Sequence, residues 1–201
     1  MGGGLGQVQK VVARRQFDGR SQRFQSLPRL IGYTVDDCKR LVDNSIEAKP
    51  TQGPFLFDEA SNRNGVGFRD MQMTLRRAGD LMLQRSYRTI MDREDTFMAP
   101  AERLAGYCSW GSNDGNFSLD RYHQIRFLPG ALSETFVSTS ARTFKPTRGG
   151  QSLIADLVAQ GTTGVSGYVS EPYTFGLMHP DIVFERYTRG FNLGESYAAG
   201  L

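Results

Sequence analysis

Four carboxylates, Asp58, Asp92, Asp114 and Glu171, each follow closely on a short apolar run of the kind that forms a buried strand. In an open parallel sheet, ligands collect beyond the C-terminal ends of the strands, where strand-to-helix loops and helix N-termini meet. Carboxylates gathered there could bind a cation or supply acid and base groups. Taken singly, each is more simply a cap for the helix that follows. The site reading therefore rests on their joint position, which strand order decides.

The segment Gly106-Tyr107-Cys108-Ser109-Trp110-Gly111-Ser112-Asn113-Asp114-Gly115-Asn116-Phe117 sets the single tryptophan in a small-residue loop at a predicted strand end. Such a ring lines a pocket, stacks on a ligand, or closes the top of the core with its N–H bonded to a loop carbonyl. Trp110, Ser112, Asn113, Asp114, Ser140, Arg142 and Glu171 form the candidate ligand-binding set. Ser138, Ser140 and Arg142 offer hydroxyls and a cation for an anion, or else make a hydrogen-bonded structural turn. Cys108 and His123 are the residue types of a cysteine-nucleophile dyad. Cys108, however, falls inside a predicted strand, where a thiol is buried and inert. Two cysteines and two histidines are too few for a zinc site or a disulfide framework. No Gly-Xaa-Ser-Xaa-Gly elbow, P-loop or Rossmann fingerprint occurs, so no catalytic residue, cofactor or metal site is assigned.

The elements that must position these groups follow from apolar spacing. Phe55, Leu56 and Phe57 run without alternation, as a strand covered on both faces requires. Tyr87 to Met91 predicts a strand ending at Asp92, and Leu104 to Ser109 another. Between them, Phe68, Met71, Leu75, Ala78 and Met82 recur at helical steps. Upstream, Leu30, Ile31 and Tyr33 suit a short strand. Thr34 then caps a helix with Asp36 and Asp37 in its first turn, and Val35, Cys38, Leu41, Val42 and Ile46 give it one apolar stripe. Downstream, Leu132, Phe136 and Val137 predict a short helix behind Pro129. Leu153, Ile154, Leu157 and Val158 predict a second, closed by Gly161. Val165, Tyr168 and Val169 form a glycine-punctuated strand stopping at Glu171–Pro172. Pro180 to Tyr187 is a helix, and Asn192 with Glu195 starts the last one by a capping box. Strands alternating with helices predict an α/β fold, a mainly parallel sheet with helices on both faces in a three-layer sandwich.

Hydrophobic residues make up 39% and charged residues 22% of 201, ordinary globular usage rather than a disordered composition. Residues 1–26 read as a flexible basic leader and 27–201 as one α/β domain. In the first thirty residues Lys10, Arg14, Arg15, Arg20, Arg23 and Arg29 face only Asp18. Without aromatic interleaving or a binding motif, that arm reads as solvated rather than as a nucleic-acid surface. No apolar run approaches the ~20 residues of a spanning helix, so the chain reads as soluble, without a transmembrane segment. The glycines after Met1 are unlike a secretory signal.

Five stretches carry a resemblance to a known family. They are residues 106–117 above, Leu-Pro-Gly-Ala-Leu-Ser-Glu-Thr-Phe-Val-Ser-Thr-Ser-Ala-Arg-Thr-Phe (128–144), Gly-Gln-Ser-Leu-Ile-Ala-Asp-Leu (150–157), Gly-Val-Ser-Gly-Tyr-Val-Ser-Glu-Pro-Tyr (164–173) and Tyr-Thr-Arg-Gly-Phe-Asn-Leu-Gly-Glu-Ser-Tyr (187–197). From about Leu27 onward the chain resembles the uncharacterised prokaryotic family found in genomes that carry exosortase, the PEP-CTERM protein-sorting system. Members of that family are longer, with an additional N-terminal α/β portion and often an export signal. The resemblance thus implies the C-terminal part of such a protein and an extracytoplasmic setting. More distantly, the order of elements is similar to the gingipain and caspase group, in which a His-Gly pair follows one strand and a nucleophilic cysteine the next. Trp110-Gly111 stands at the first place here and no cysteine follows Cys108, which implies a peptidase fold without peptidase chemistry. The expected function is a non-catalytic, or non-peptidase, domain that binds a ligand or partner at the C-terminal edge of the sheet in a cell-envelope context. A carboxylate- or metal-dependent hydrolase and a structural subunit of a larger assembly are the rivals.

Overall fold

The computed structural model describes residues 29–49 and 52–201; the predicted basic leader lies outside them. Five parallel strands form one sheet in the order β2-β1-β3-β4-β5: β1 (Phe55–Asp58), β2 (Thr89–Asp92), β3 (Leu104–Ser109), β4 (Phe127–Thr135) and β5 (Gly164–Val165). Phe55, Leu56 and Phe57 are fully buried, because a parallel sheet covered by helices hides both sides of its central strands.

Helices α2 (Arg69–Gln84), α5 (Pro180–Thr188) and α6 (Leu193–Gly200) cover one face. Met71, Leu75, Ala78 and Met82 of α2 and Val183, Phe184 and Tyr187 of α5 pack there on Phe55, Phe57, Cys108 and Leu132. Each such large side chain contributes about 1.5–3 kcal/mol on burial. The opposite face carries α1 (Val35–Ile46), α3 (Leu119–Tyr122) and α4 (Ile154–Ala159), with Phe97, Tyr122, Ile125 and Leu157 over Leu56, Tyr107, Phe127 and Ala131. The three-layer α/β reading therefore holds. Among the described residues no helix is long and apolar enough to cross a membrane.

Local signals set most boundaries. Thr34 and Asp37 close a reciprocal capping box on α1, and Asn192 and Glu195 another on α6. Gly161, at φ 103°, follows α4 in a conformation that favours glycine.

Three expectations are corrected. Leu30, Ile31 and Tyr33 make no strand; the Tyr33 hydroxyl instead donates to Asp156. Leu132 to Val137 is not helical, since β4 runs through Pro129. Its register with β3 slips between Leu104↔Phe127 and Gly106↔Leu132, and this irregularity accommodates Pro129, which lacks an N–H, and Gly130 at φ 88°. The predicted strand at 165–169 pairs only at Gly164 and Val165.

Gly106 marks a close approach of sheet to helix. A Cβ there would stand 2.5 Å from Phe55 Cδ1 and 2.7 Å from Phe184 Cε1. Gly106→Ala is expected to cost about 1–3 kcal/mol by overpacking, read as a lower urea midpoint at unchanged slope.

Candidate functional site

The chain enters the sheet at β1, moves outward to β2, then returns past β1 to β3, so the winding reverses between β1 and β3. Such a switch point is where open α/β sheets form a crevice beyond their strand ends. Asp92, Asp58, Ser109 and Thr135 end four adjacent strands and are Cα partners across the sheet. Parallel in-register pairing puts side chains of one rung on one face. The four therefore make a single polar row, and all are at most 2% exposed. Within it Asp58 Oδ1 and Thr135 Oγ1 have no hydrogen-bond partner. Asp58 Oδ2 accepts a long bond from Met98 N at 3.4 Å, Asp92 accepts from Glu94 N and Thr96 Oγ1, and Ser109 Oγ donates to Tyr107 Oη and accepts from Gly111 N.

Of the four sequence-predicted carboxylates, Asp58 and Asp92 thus stand side by side, with Asp114 near enough to add to the charge at Asp58. Burial first, then the adjacent Asp92 carboxylate, pushes the Asp58 carboxyl up to about 9, so it is protonated at neutral pH. Burial also raises Asp114, with Asp95 and Asp92 adding to the effect against a bond from Asn116 N. Glu171 lies apart, exposed on the loop after β5. Among the described residues no group of three or more His, Cys, Asp or Glu side chains is placed to hold a metal ion.

The crevice mouth is stitched by its own loops. Arg63 Nε and Asn62 Nδ2 both donate to Asn113 O, at 2.7 and 3.2 Å, and Gly115 N donates to Asn62 Oδ1. Trp110 turns inward, 2% exposed, edge-on to Phe68 and Phe136, and its Nε1 donates to Gln72 Oε1. The Arg63 guanidinium lies 4.6 Å from the Phe68 ring and 5.5 Å from that of Trp110. Ser112 and Ser152 exchange backbone-to-hydroxyl bonds, and Asn113 Nδ2 donates to Phe136 O. Buried Ser140 accepts from Tyr168 N, while exposed Arg142 bonds Thr139 O and Gln151 O. These side chains fasten loops to one another.

Cys108 and His123 are on opposite faces of the sheet. Cys108 belongs to the core under α2 and α5, where burial and then buried Glu134 push its thiol pKa up. His123 Nε2 pairs at 3.1 Å with Asp156 Oδ1 on the α4 side. That carboxylate also receives Thr147 and Tyr33, so it ties four segments together.

Sequence reasoning passed over Tyr173 and Phe175. They are 65% and 86% exposed, with rings 5.8 Å apart at 17° in a stack. Tyr173 adopts φ 52°, ψ 177°, and its amide donates to Glu171 Oε1 at 3.0 Å. The available signal was the pair of aromatics flanking one threonine immediately after Glu-Pro, where no strand or helix would bury them.

No protein-family model, curated protein or solved structure matches this chain.

The buried acid makes stability depend on pH. A carboxyl near 4 when unfolded and about 9 when folded stabilises fully below pH 4, and that contribution is lost as pH rises toward 9. Asp58→Asn mimics the neutral form, so its urea-unfolding stability is expected to fall less than that of the parent between pH 5 and 9. Parallel profiles would mean that Asp58 is ionised in the fold.

Proposed function

We propose that this domain is a non-catalytic binding module, and that its contact surface is the loop following β5 at the C-terminal edge of the sheet. The observation that carries this reading is the Tyr173–Phe175 pair. Two adjacent aromatic rings left in water, with Val169 beside them in sequence and 70% exposed, are the side-chain type that anchors protein interfaces. The backbone at Tyr173 occupies a region used almost only by glycine, at a cost of order 1–3 kcal/mol. An exposed ring held in a strained conformation is better explained by contact with a partner than by folding. Glu171, singled out by the sequence as a contact, acts in this reading by fixing the Tyr173 amide.

The switch-point crevice fits the same reading from the other side. Its loops are bonded to one another across the mouth, and its carboxylates Asp58, Asp92 and Asp114 are buried. The likeness to the gingipain and caspase group, read from the order of elements, would fit a non-peptidase role, since Trp110-Gly111 stands where that group has its His-Gly pair and no cysteine follows Cys108. The exosortase-linked resemblance would set the partner in the cell envelope.

One observation favours a carboxylate hydrolase instead: Asp58 and Asp92 are buried rung partners, and burial pushes the Asp58 carboxyl up toward the range of a general acid. That reading requires the 61–63 and 110–116 loops to part, and it predicts turnover that Asp58→Asn abolishes.

The double variant Tyr173→Ser, Phe175→Ser is expected to keep the unfolding free energy within about 0.5 kcal/mol or raise it by relieving strain. Peptides selected on the parent protein from a displayed library should lose at least about tenfold in affinity for it, roughly 1.4 kcal/mol. Undiminished binding of those peptides would remove this surface from the function.

A further inference from the structure

Helix α1 buries only the Leu41 side of its apolar stripe and leaves the rest outward. Its contacts to the body are largely polar: Arg40, oriented by Asp37 of the same helix, donates to Ala159 O and Asn44 Nδ2 to Gly161 O, with Leu41 the apolar side chain buried beneath. Val35, Val42 and Ile46 are 71%, 42% and 71% exposed, and Leu30 just before the helix is 62% exposed. Residues seven and eleven positions apart fall within about 40° of each other on an α-helix, so the three make one line along the helix. Asp36, Asp43 and Glu47 stand in the same relation to each other, rotated by about 100°, and form an exposed acidic ridge beside that line. Asp36 pairs with Lys39, whereas Asp43 and Glu47 enter none of the ion pairs among the described residues.

We propose that this stripe and ridge are the docking surface for the chain's own preceding segment, residues 1–28. That segment ends immediately before Arg29, next to the exposed Leu30 and at the start of α1. It carries Lys10, Arg14, Arg15, Arg20 and Arg23 against Asp18, the charge that complements the ridge. Val8, Val11 and Val12 lie among the cations, the composition that a stripe flanked by acids selects. Covalent linkage supplies a high effective concentration, and the residues between Arg15 and Arg29 can span roughly 45 Å, well beyond the ~18 Å length of the helix. A second copy seated antiparallel on the same stripe would instead set one acidic ridge against the other.

The test uses the full 201-residue chain. Trypsin cleavage at Arg14, Arg15, Arg20 and Arg23 is timed against a free peptide of residues 1–28, and sedimentation is recorded in parallel. The segment in the parent chain should be cut about tenfold more slowly than the peptide, since cleavage tracks the population of the open form. Ile46→Asp, at an exposed position, should remove that protection without changing the thermal midpoint. Asp43→Lys with Glu47→Lys should do the same, and adding Arg14→Glu with Arg15→Glu should restore protection at Arg20 and Arg23. Equal rates for parent and peptide would overturn the proposal. So would a dimer dispersed by Ile46→Asp, because a second copy would then cover the stripe.

Discussion

Parallel in-register pairing is the constraint on which the rest of this molecule depends. Because β2, β1, β3 and β4 run in one direction and end level, their last residues fall on one rung and one face. Asp92, Asp58, Ser109 and Thr135 come from distant parts of the chain, and no local interaction would gather them. The reversal of winding between β1 and β3 then places the Asp58–Ser109 step where a crevice forms in this architecture. The electrostatic state of the edge follows directly. Two carboxyl groups at adjacent rung positions, both out of water, are not ionised together without cost, and the proton stays on Asp58.

At the same edge the loops of the crevice are bonded to one another. Arg63 bridges from one loop to Asn113 O in the other and lays its guanidinium near Phe68 and Trp110. An aromatic lid, a cation and a carbonyl acceptor are the parts of a ligand pocket, but here they satisfy one another. Exposed apolar chemistry lies elsewhere, on the strained loop after β5 and along the outer line of α1. Both surfaces arise because the elements beneath them are held by polar bonds, Glu171 to the Tyr173 amide and Arg40 and Asn44 to backbone carbonyls.

Much of the fold was legible because its signals are local. The unbroken apolar run Phe55–Phe57, the capping boxes at Thr34 and Asn192, and Gly161 after α4 each act within a few residues. β4 was not legible, because Pro129 and Gly130 are turn residues in most settings and only the irregular β3–β4 pairing makes them compatible with a strand. Of the site, the strand-end rule marked Asp58 and Asp92, but only the strand order set them side by side. Thr135 was hidden with β4, and Gln72 had no sequence mark as the partner of Trp110.

The sequence by itself determined the alternation of strands and helices and the parallel class of the sheet, since hydrophobic period and caps depend on near neighbours; the gathering of carboxylates at one edge waited on strand order. Only the tertiary structure decided that Trp110 points inward, that Asp58 holds a proton, and that α1 turns its apolar line to solvent. Those outcomes depend on which distant groups arrive beside a side chain, and on whether water is excluded when they do. Amphipathic spacing tells a helix that it has two faces; the contacts made by Arg40, Leu41 and Asn44 chose the one it buries.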